Sequence, residues 1–181
     1  MFADKKARET YVAGQEYTLE IAGGAVHGGG SCQLALSYDE GATFRVIKSI
    51  IGGCPLSAGG NYVNKFKVPK SVPAGDSVIF SWSWINFTGT QEFYQNCARV
   101  KIKNPAPVGN FKDDKAHPLM FVANIKVNGK LRMCVPDSSN GSGLWFMKYP
   151  EPGEQVEYGK NNGNGDAKSA KVTELVPCKA A

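Results

Sequence analysis

Histidine is scarce in this sequence, and the motifs of several common enzyme classes are missing. Only two histidines, His27 and His117, occur in 181 residues. Neither has a serine nucleophile elbow near it, so a Ser-His-Asp hydrolase is not indicated. The Gly-Gly-Gly-Ser run at 28–31 lacks the lysine and the spacing of a phosphate loop. No pair of carboxylates stands out for glycosidic chemistry.

Long apolar runs and clusters of basic residues are missing as well. No stretch approaches the roughly 18 apolar residues of a membrane span, so no integral membrane protein is predicted. The formal charge of +5 is spread along the chain, which argues against nucleic-acid binding. The first ten residues are charged where a signal peptide needs an apolar segment, so no secretory signal is visible.

The cysteines nonetheless indicate an extracellular protein. None forms a C-x-x-C pair or has zinc-site spacing, and single cysteines among Gly- and Pro-rich loops are typical of disulfides in secreted proteins. The sequons at Asn86 and Asn140 agree with secretion and predict glycosylation. An odd number of cysteines implies a free thiol or a missing partner. The five are Cys32, Cys54, Cys97, Cys134 and Cys178.

Short alternating segments separated by turn residues predict an all-β domain. The predicted strands are 17–21, 32–38, 44–50, 62–68, 77–85 and 97–102. This spacing favours an antiparallel immunoglobulin- or fibronectin-like β-sandwich with a loop-rich C-terminal extension. We assign 1–104 to the sandwich core, 105–158 to an extension that wraps it, and 159–181 to a flexible tail of low complexity.

Two segments could carry chemistry. Residues 25–32 place His27 before three glycines, which let a ligand approach the backbone closely. A surface loop with an incidental histidine would have the same pattern. Residues 82–97 hold two tryptophans on one side of a strand, and core packing is the favoured role for at least one of them. The same range also holds Glu92 and Tyr94, which share a face. That carboxylate and phenol fit either a metal pocket or plain sheet surface, and the residues alone leave both open.

Together these segments resemble the fungal lytic polysaccharide monooxygenases of the chitin-active class, auxiliary activity family eleven. The resemblance covers about residues 13–104, in order and spacing. It rests on Ala-Val-His-Gly-Gly-Gly-Ser-Cys-Gln (25–33), Ser-Ile-Ile-Gly-Gly-Cys-Pro (49–55), Pro-Lys-Ser-Val-Pro-Ala-Gly (69–75), Trp-Ser-Trp (82–84) and Glu-Phe-Tyr-Gln-Asn-Cys-Ala (92–98).

The resemblance implies a copper ion held by a histidine brace, in which an N-terminal histidine and an internal one supply three nitrogens. His27 matches the internal histidine. Tyr94 matches the axial tyrosine, Glu92 the carboxylate that steers oxygen species, and Ala25 the small residue beside the axial face. Nitrogen ligands in this arrangement suit both copper oxidation states.

The sequence departs from the family because it has no N-terminal brace histidine. We expect that a segment with the signal peptide, that histidine and a cysteine is absent, which leaves the copper site incomplete. His117, in a linker, is not expected to replace it. By the same resemblance Cys32 pairs with Cys54 and Cys97 lacks its partner. A Cys134–Cys178 pair is a further expectation.

The function implied is copper-dependent oxidative cleavage of a β-1,4-linked polysaccharide, with chitin as the first candidate. An external electron donor or peroxide would be needed, and the protein would be a secreted monomer. Activity is expected to be impaired in this chain. The alternative is a non-catalytic extracellular protein that binds glycans or belongs to the cell wall.

Overall fold

The fold is built from strands alone in the part of the chain that the computed structural model describes, residues 4–57, 59–89, 92–127, 130–133, 147–159 and 179–180. No helix there is long and apolar enough to cross a membrane. The prediction of an all-β fold is confirmed. The strands are β1 (Glu9–Val12), β2 (Glu16–Ile21), β3 (Gly30–Ser37), β4 (Arg45–Ile51), β5 (Tyr62–Lys67), β6 (Gly75–Asn86), β7 (Phe93–Lys103), β8 (Ile125–Val127), β9 (Lys130–Met133), β10 (Val156–Tyr158) and β11 (Lys179–Ala180).

Six strands form the main sheet, in the order β1-β7-β6-β3-β4-β10, and β2 pairs with β5 in a second sheet. The inner pairs of the main sheet are antiparallel, as predicted. The two edge strands differ, because β1 runs parallel to β7 and β10 runs parallel to β4. Parallel neighbours cannot be joined by a hairpin, and both edge strands lie far in sequence from the strand that they pair with.

The core lies between the main sheet and the β2–β5 pair. Alternate residues of β5 are buried, among them Phe66, which contacts Phe80 of the main sheet at 5.3 Å between ring centroids. Burial of such side chains is the main force that holds two sheets together. The buried members of this core are Leu34, Leu36, Ile47, Phe66, Val68, Val72, Val78, Phe80, Val100, Ile102 and Phe111.

The other face of β3 is covered by the chain beyond residue 104. The side-chain amide of Gln33 donates to the Ser49 hydroxyl at 3.1 Å and accepts the backbone N–H of Phe121 at 2.9 Å. Ser49 in turn donates to the carbonyl of Pro152 at 2.8 Å. Polar groups that face outward on the central strands are therefore satisfied by the extension, and β3 is buried along its whole length.

Lys48 joins three strands through one buried ammonium group. It donates to the Asn64 side chain at 2.7 Å, to the carboxylate of Glu157 at 2.6 Å and to the carbonyl of Lys65. Lys48 lies on β4, Asn64 and Lys65 on β5, and Glu157 on β10. The second sheet and the extension are thereby tied to the same residue of the main sheet.

Parts of the sequence predictions lie outside the described residues. These parts include Asn140, Cys134 and Cys178, and most of the tail assigned to 159–181. Among the described residues of the tail, β11 pairs with β9; β8, β9 and β11 together form a three-stranded sheet.

Candidate functional site

His27 lies in the loop between β2 and β3, with its side chain exposed. The turn around it closes when the N–H of Gly29 donates to the carbonyl of Val26 at 2.7 Å. His27 has a φ of +43°, a conformation that residues with a side chain rarely adopt. Gly28 follows with a φ of +66°, and a Cβ there would lie 2.8 Å from the Thr88 side chain. Glycine is therefore needed at 28 to hold this turn against the neighbouring segment.

The His27 loop is fastened to the end of β6. The N–H of Thr88 donates to the carbonyl of His27, and the N–H of Phe87 to the carbonyl of Gly29, each at 2.9 Å. The indole of Trp84 adds a bond of 3.2 Å to the same Gly29 carbonyl. The backbone of the loop is thus held by three donors that come from, or directly follow, one strand.

Trp84 brings the two predicted halves of the site together. Its ring centroid lies 6.0 Å from that of His27 and 4.9 Å from that of Tyr94, on which it stacks. Trp84 and Tyr94 are also directly opposite each other across β6 and β7. The segment 25–32 and the segment 82–97, singled out separately in the sequence, therefore meet around one indole.

The phenol of Tyr94 donates a hydrogen bond to the exposed carboxylate of Glu92. This bond, together with partial desolvation and the nearby negative charge, raises the pKa of Tyr94 above its usual value. The phenol therefore stays protonated at neutral pH and presents a neutral oxygen. Ala25 is exposed on the same loop, two residues before His27.

His117 lies in a different environment. Its Nε2 is 2.7 Å from the Ser71 hydroxyl, and its Nδ1 is 3.2 Å from the carbonyl of Val46. The ring packs on Phe111, and burial lowers the pKa of His117. Both ring nitrogens are engaged, so this imidazole is held as part of the interior. In the described part of the chain, no three His, Cys, Asp or Glu residues are grouped to hold a metal.

A disulfide joins Cys32 and Cys54, which confirms that predicted pair. It is buried in one cluster with Trp84, and Tyr94 packs against that cluster. Cys97 carries a free, half-buried thiol within the described residues. Burial raises the pKa of that thiol, so it is protonated at neutral pH.

The structure shows why position 30 of the three-glycine run must be glycine. Gly30 has a φ of +141°, and a Cβ there would collide with the Ile85 carbonyl and lie 2.8 Å from Nε1 of Trp84. The three-glycine run is evident in the sequence, but the sequence does not show that β6 packs against Gly30.

Asn86, predicted as a glycosylation site, is 2% exposed. Its glycosylation stays a prediction, and a glycan would require this side chain to leave the interior.

No protein-family model matches this chain. Three curated relatives do. The AA11 family lytic polysaccharide monooxygenase A of Aspergillus fumigatus (strain CBS 144.89 / FGSC A1163 / CEA10) is 47% identical over 120 residues, which is 66% of this chain and 52% of the relative. Monooxygenase B of the same family, from A. fumigatus strain Af293, is 35% identical over 174 residues, 83% of this chain and 39% of the relative. An AA11 enzyme of Aspergillus oryzae is 33% identical over 190 residues, 93% of this chain and 42% of the relative. The chain spans about half the length of the first relative and about two fifths of the other two.

Proposed function

Because the chain belongs to the AA11 family of lytic polysaccharide monooxygenases, we propose that it carries one part of a copper site for the oxidative cleavage of a polysaccharide. The observation that carries this proposal is the meeting of His27 and Tyr94 at Trp84, with Glu92 bonded to the phenol. Each of these residues belongs to a segment on which the family resemblance rests.

The donor set fits copper. Imidazole nitrogen is a preferred copper ligand, and a phenol is suited to a weaker, longer bond. His27 is exposed and held in place through its backbone, which leaves its ring for a metal. A Cβ at residue 89 would lie 4.0 Å from Nδ1 of His27, so Gly89 keeps the space beside that nitrogen open.

Bound copper would supply one-electron chemistry with oxygen or peroxide, which removes a hydrogen beside the glycosidic bond. The chain's own residues have separate tasks in this proposal. His27 would hold the metal through its ring, and the protonated phenol of Tyr94 would be a weaker oxygen ligand. Glu92 accepts the hydrogen bond of that phenol and would keep a carboxylate near the metal. Ala25 would limit crowding near the metal because its side chain is short.

We propose that the 181-residue chain by itself binds copper weakly and cleaves slowly. It contains two histidines, and both ring nitrogens of His117 have partners. His27 is then the imidazole available for copper. One imidazole lacks the chelation of several linked ligands, in which the first bond raises the local concentration of the next.

The proposed substrate is a β-1,4-linked polysaccharide, with chitin as the first candidate, and an external reductant or peroxide is the co-substrate. The surface around His27 supports a flat substrate. Residues 22–25 are exposed and small, and a Cβ on Gly23 or Gly24 would meet nothing within 4 Å. A loop of small, exposed residues leaves room for the face of an insoluble chain, which cannot enter a cleft. We place the protein outside the cell because a disulfide lies in its core. We propose that it is a monomer, as expected from the sequence.

Incubation of the copper-loaded chain with β-chitin, ascorbate and peroxide tests this function. Mass spectrometry should detect oxidised chito-oligosaccharides at a low rate, and the His27→Ala variant should release none. The His117→Gln variant is the matched control and should retain the product. Equal product from His27→Ala would assign the cleavage to free copper and contradict the proposal.

A non-catalytic glycan-binding or cell-wall protein is the second candidate, and the same exposed loop favours it. Sedimentation with chitin in the presence of a copper chelator separates the two functions. Binding that survives chelation, with no oxidised product under any condition, would support this second function.

A further inference from the structure

Asn86 is a buried amide at the end of β6 that spans the loop following it. It is 2% exposed. Its Nδ2 donates to the carbonyl of Thr88 at 2.9 Å, and its Oδ1 accepts the backbone N–H of Glu92 at 2.7 Å. One side chain therefore bonds to two backbone groups that lie four residues apart. Buried amides that satisfy two backbone groups hold those groups in place relative to each other.

The two ends of this loop reach the two halves of the candidate site. At one end, the N–H of Thr88 donates to the carbonyl of His27, the residue with a φ of +43°. At the other end, Glu92 accepts the phenol proton of Tyr94. A backbone conformation of this kind persists where surrounding contacts hold it. Asn86 thus connects, through one residue on each side, the proposed copper-binding imidazole of His27 to the phenol of Tyr94.

We infer that Asn86 is a positioning residue of the candidate copper site, which sets His27 and Glu92 relative to each other through the loop that it bridges. The copper part of this inference rests on the proposed function, whereas the bridge itself does not. The inference also gives the sequon at 86–88 a different meaning. An amide that is 2% exposed has no room for a sugar, so Asn86 is expected to be unmodified in the folded protein.

Hydrogen exchange on the full chain tests the bridge without copper. In the Asn86→Ala variant the Glu92 amide loses its acceptor and the Thr88 carbonyl loses its donor. The amides of both residues should then exchange about fivefold faster than in wild type, the change expected from a hydrogen bond worth roughly 1 kcal/mol. The amide of Leu34, in the centre of the main sheet, should keep its rate. Equal acceleration of all three amides would make Asn86 a general stability residue and would overturn the inference, as would unchanged rates at Thr88 and Glu92.

Thr88→Val is the matched control for the sequon. It abolishes the glycosylation motif but keeps Asn86 and the backbone carbonyl that Asn86 binds, so wild-type exchange is expected. Peptide mass spectrometry of wild type secreted from a glycosylating host gives a check that needs no variant to fold. Asn86 should be unmodified, and a glycan on Asn86 in the folded protein would overturn the inference.

Copper titration followed by electron paramagnetic resonance tests the functional part. Cu(II) should bind Asn86→Ala about tenfold more weakly than wild type, the usual cost of losing a group that orients a metal ligand. Thr88→Val should match wild type. If wild type binds no copper, the proposed function fails together with the copper role of Asn86. If copper affinity is the same in wild type and Asn86→Ala, this inference alone fails.

Discussion

The indole N–H of Trp84 donates to the carbonyl oxygen of Gly29 at 3.2 Å, across 55 residues of sequence. The same ring contacts His27 and stacks on Tyr94. Trp84 therefore has two roles. Its N–H fixes the backbone of the His27 loop, and its ring contacts the side chains of both His27 and Tyr94. Its neighbour Trp82 stacks on it at 6.1 Å, but Nε1 of Trp82 is buried without a hydrogen-bond partner among the described residues.

The two tryptophans should respond differently to replacement by phenylalanine. Trp84→Phe keeps an aromatic ring but leaves the Gly29 carbonyl without this donor, so a loss of about 1 kcal/mol in the free energy of unfolding is expected. Trp82→Phe also loses packing, but it removes a buried N–H that has no partner in the described part of the chain. Removal of that unsatisfied donor offsets part of the loss, so a smaller decrease in the free energy of unfolding is expected. Urea unfolding followed by far-ultraviolet circular dichroism measures both. A larger loss for Trp82→Phe than for Trp84→Phe would contradict this account.

Gly30, the first residue of β3, should not tolerate a side chain, whereas Gly24 in the preceding loop should. A Cβ at residue 30 collides with the Ile85 carbonyl, and its φ of +141° is strained for other residues. Gly30→Ala should lose roughly 3 kcal/mol or fail to fold. Gly24→Ala meets nothing within 4 Å and should change stability by less than about 0.5 kcal/mol. Expression yield and thermal unfolding of the two variants provide the comparison, and equal stability would refute the steric argument.

Removal of the Glu157 carboxylate charge should loosen the extension. Glu157 is bonded to Lys48, whose side chain is 7% exposed, and to the amide of Asn64. Glu157→Gln leaves that ammonium with two neutral partners, so a loss of about 1–2 kcal/mol is expected, reduced because Glu157 itself is partly exposed. Glu16→Gln is the matched control, since its ion pair with Lys65 is exposed on both sides and should contribute almost nothing. Differential scanning calorimetry measures the stability of the two variants, and an equal loss in both would contradict this role of Glu157.

The stability of the protein should decrease with acidification because of His117. Burial lowers the pKa of His117 below its ordinary value of 6.5, so below pH 6.5 the unfolded chain takes up a proton that the folded chain resists. This contribution is complete above pH 6.5 and is lost as the pH falls toward the lowered pKa. Urea midpoints between pH 7.5 and about 5, above the range of ordinary carboxylates, measure the slope.

The matched variants for this pH dependence are His117→Gln and His27→Gln. The first should flatten the slope, because it removes the buried imidazole. The second should leave it unchanged, because it keeps the buried imidazole of His117 with its Ser71 and Val46 contacts. A slope that persists in His117→Gln would place the titrating group elsewhere.

The sequence by itself determined the strands of the sandwich and indicated the segments of the candidate site. Alternation of apolar and polar residues is a local property, and it located β2 to β7 within a few residues of their ends. The motif around His27 and the pair Glu92 and Tyr94 could be found in the sequence because each is a short, contiguous segment. The parallel pairing of β1 and β10 was not visible, because it depends on where long connections deliver a short strand.

Tertiary structure alone decided which groups meet. Trp84 reaches Gly29, Asn86 bridges Thr88 and Glu92, and Lys48 collects Asn64 and Glu157 only once the sheets have packed. A lone indole, amide or ammonium in a sequence carries no sign of its partner. A buried polar group must form a hydrogen bond, and which groups are buried together is decided only when the sheets pack.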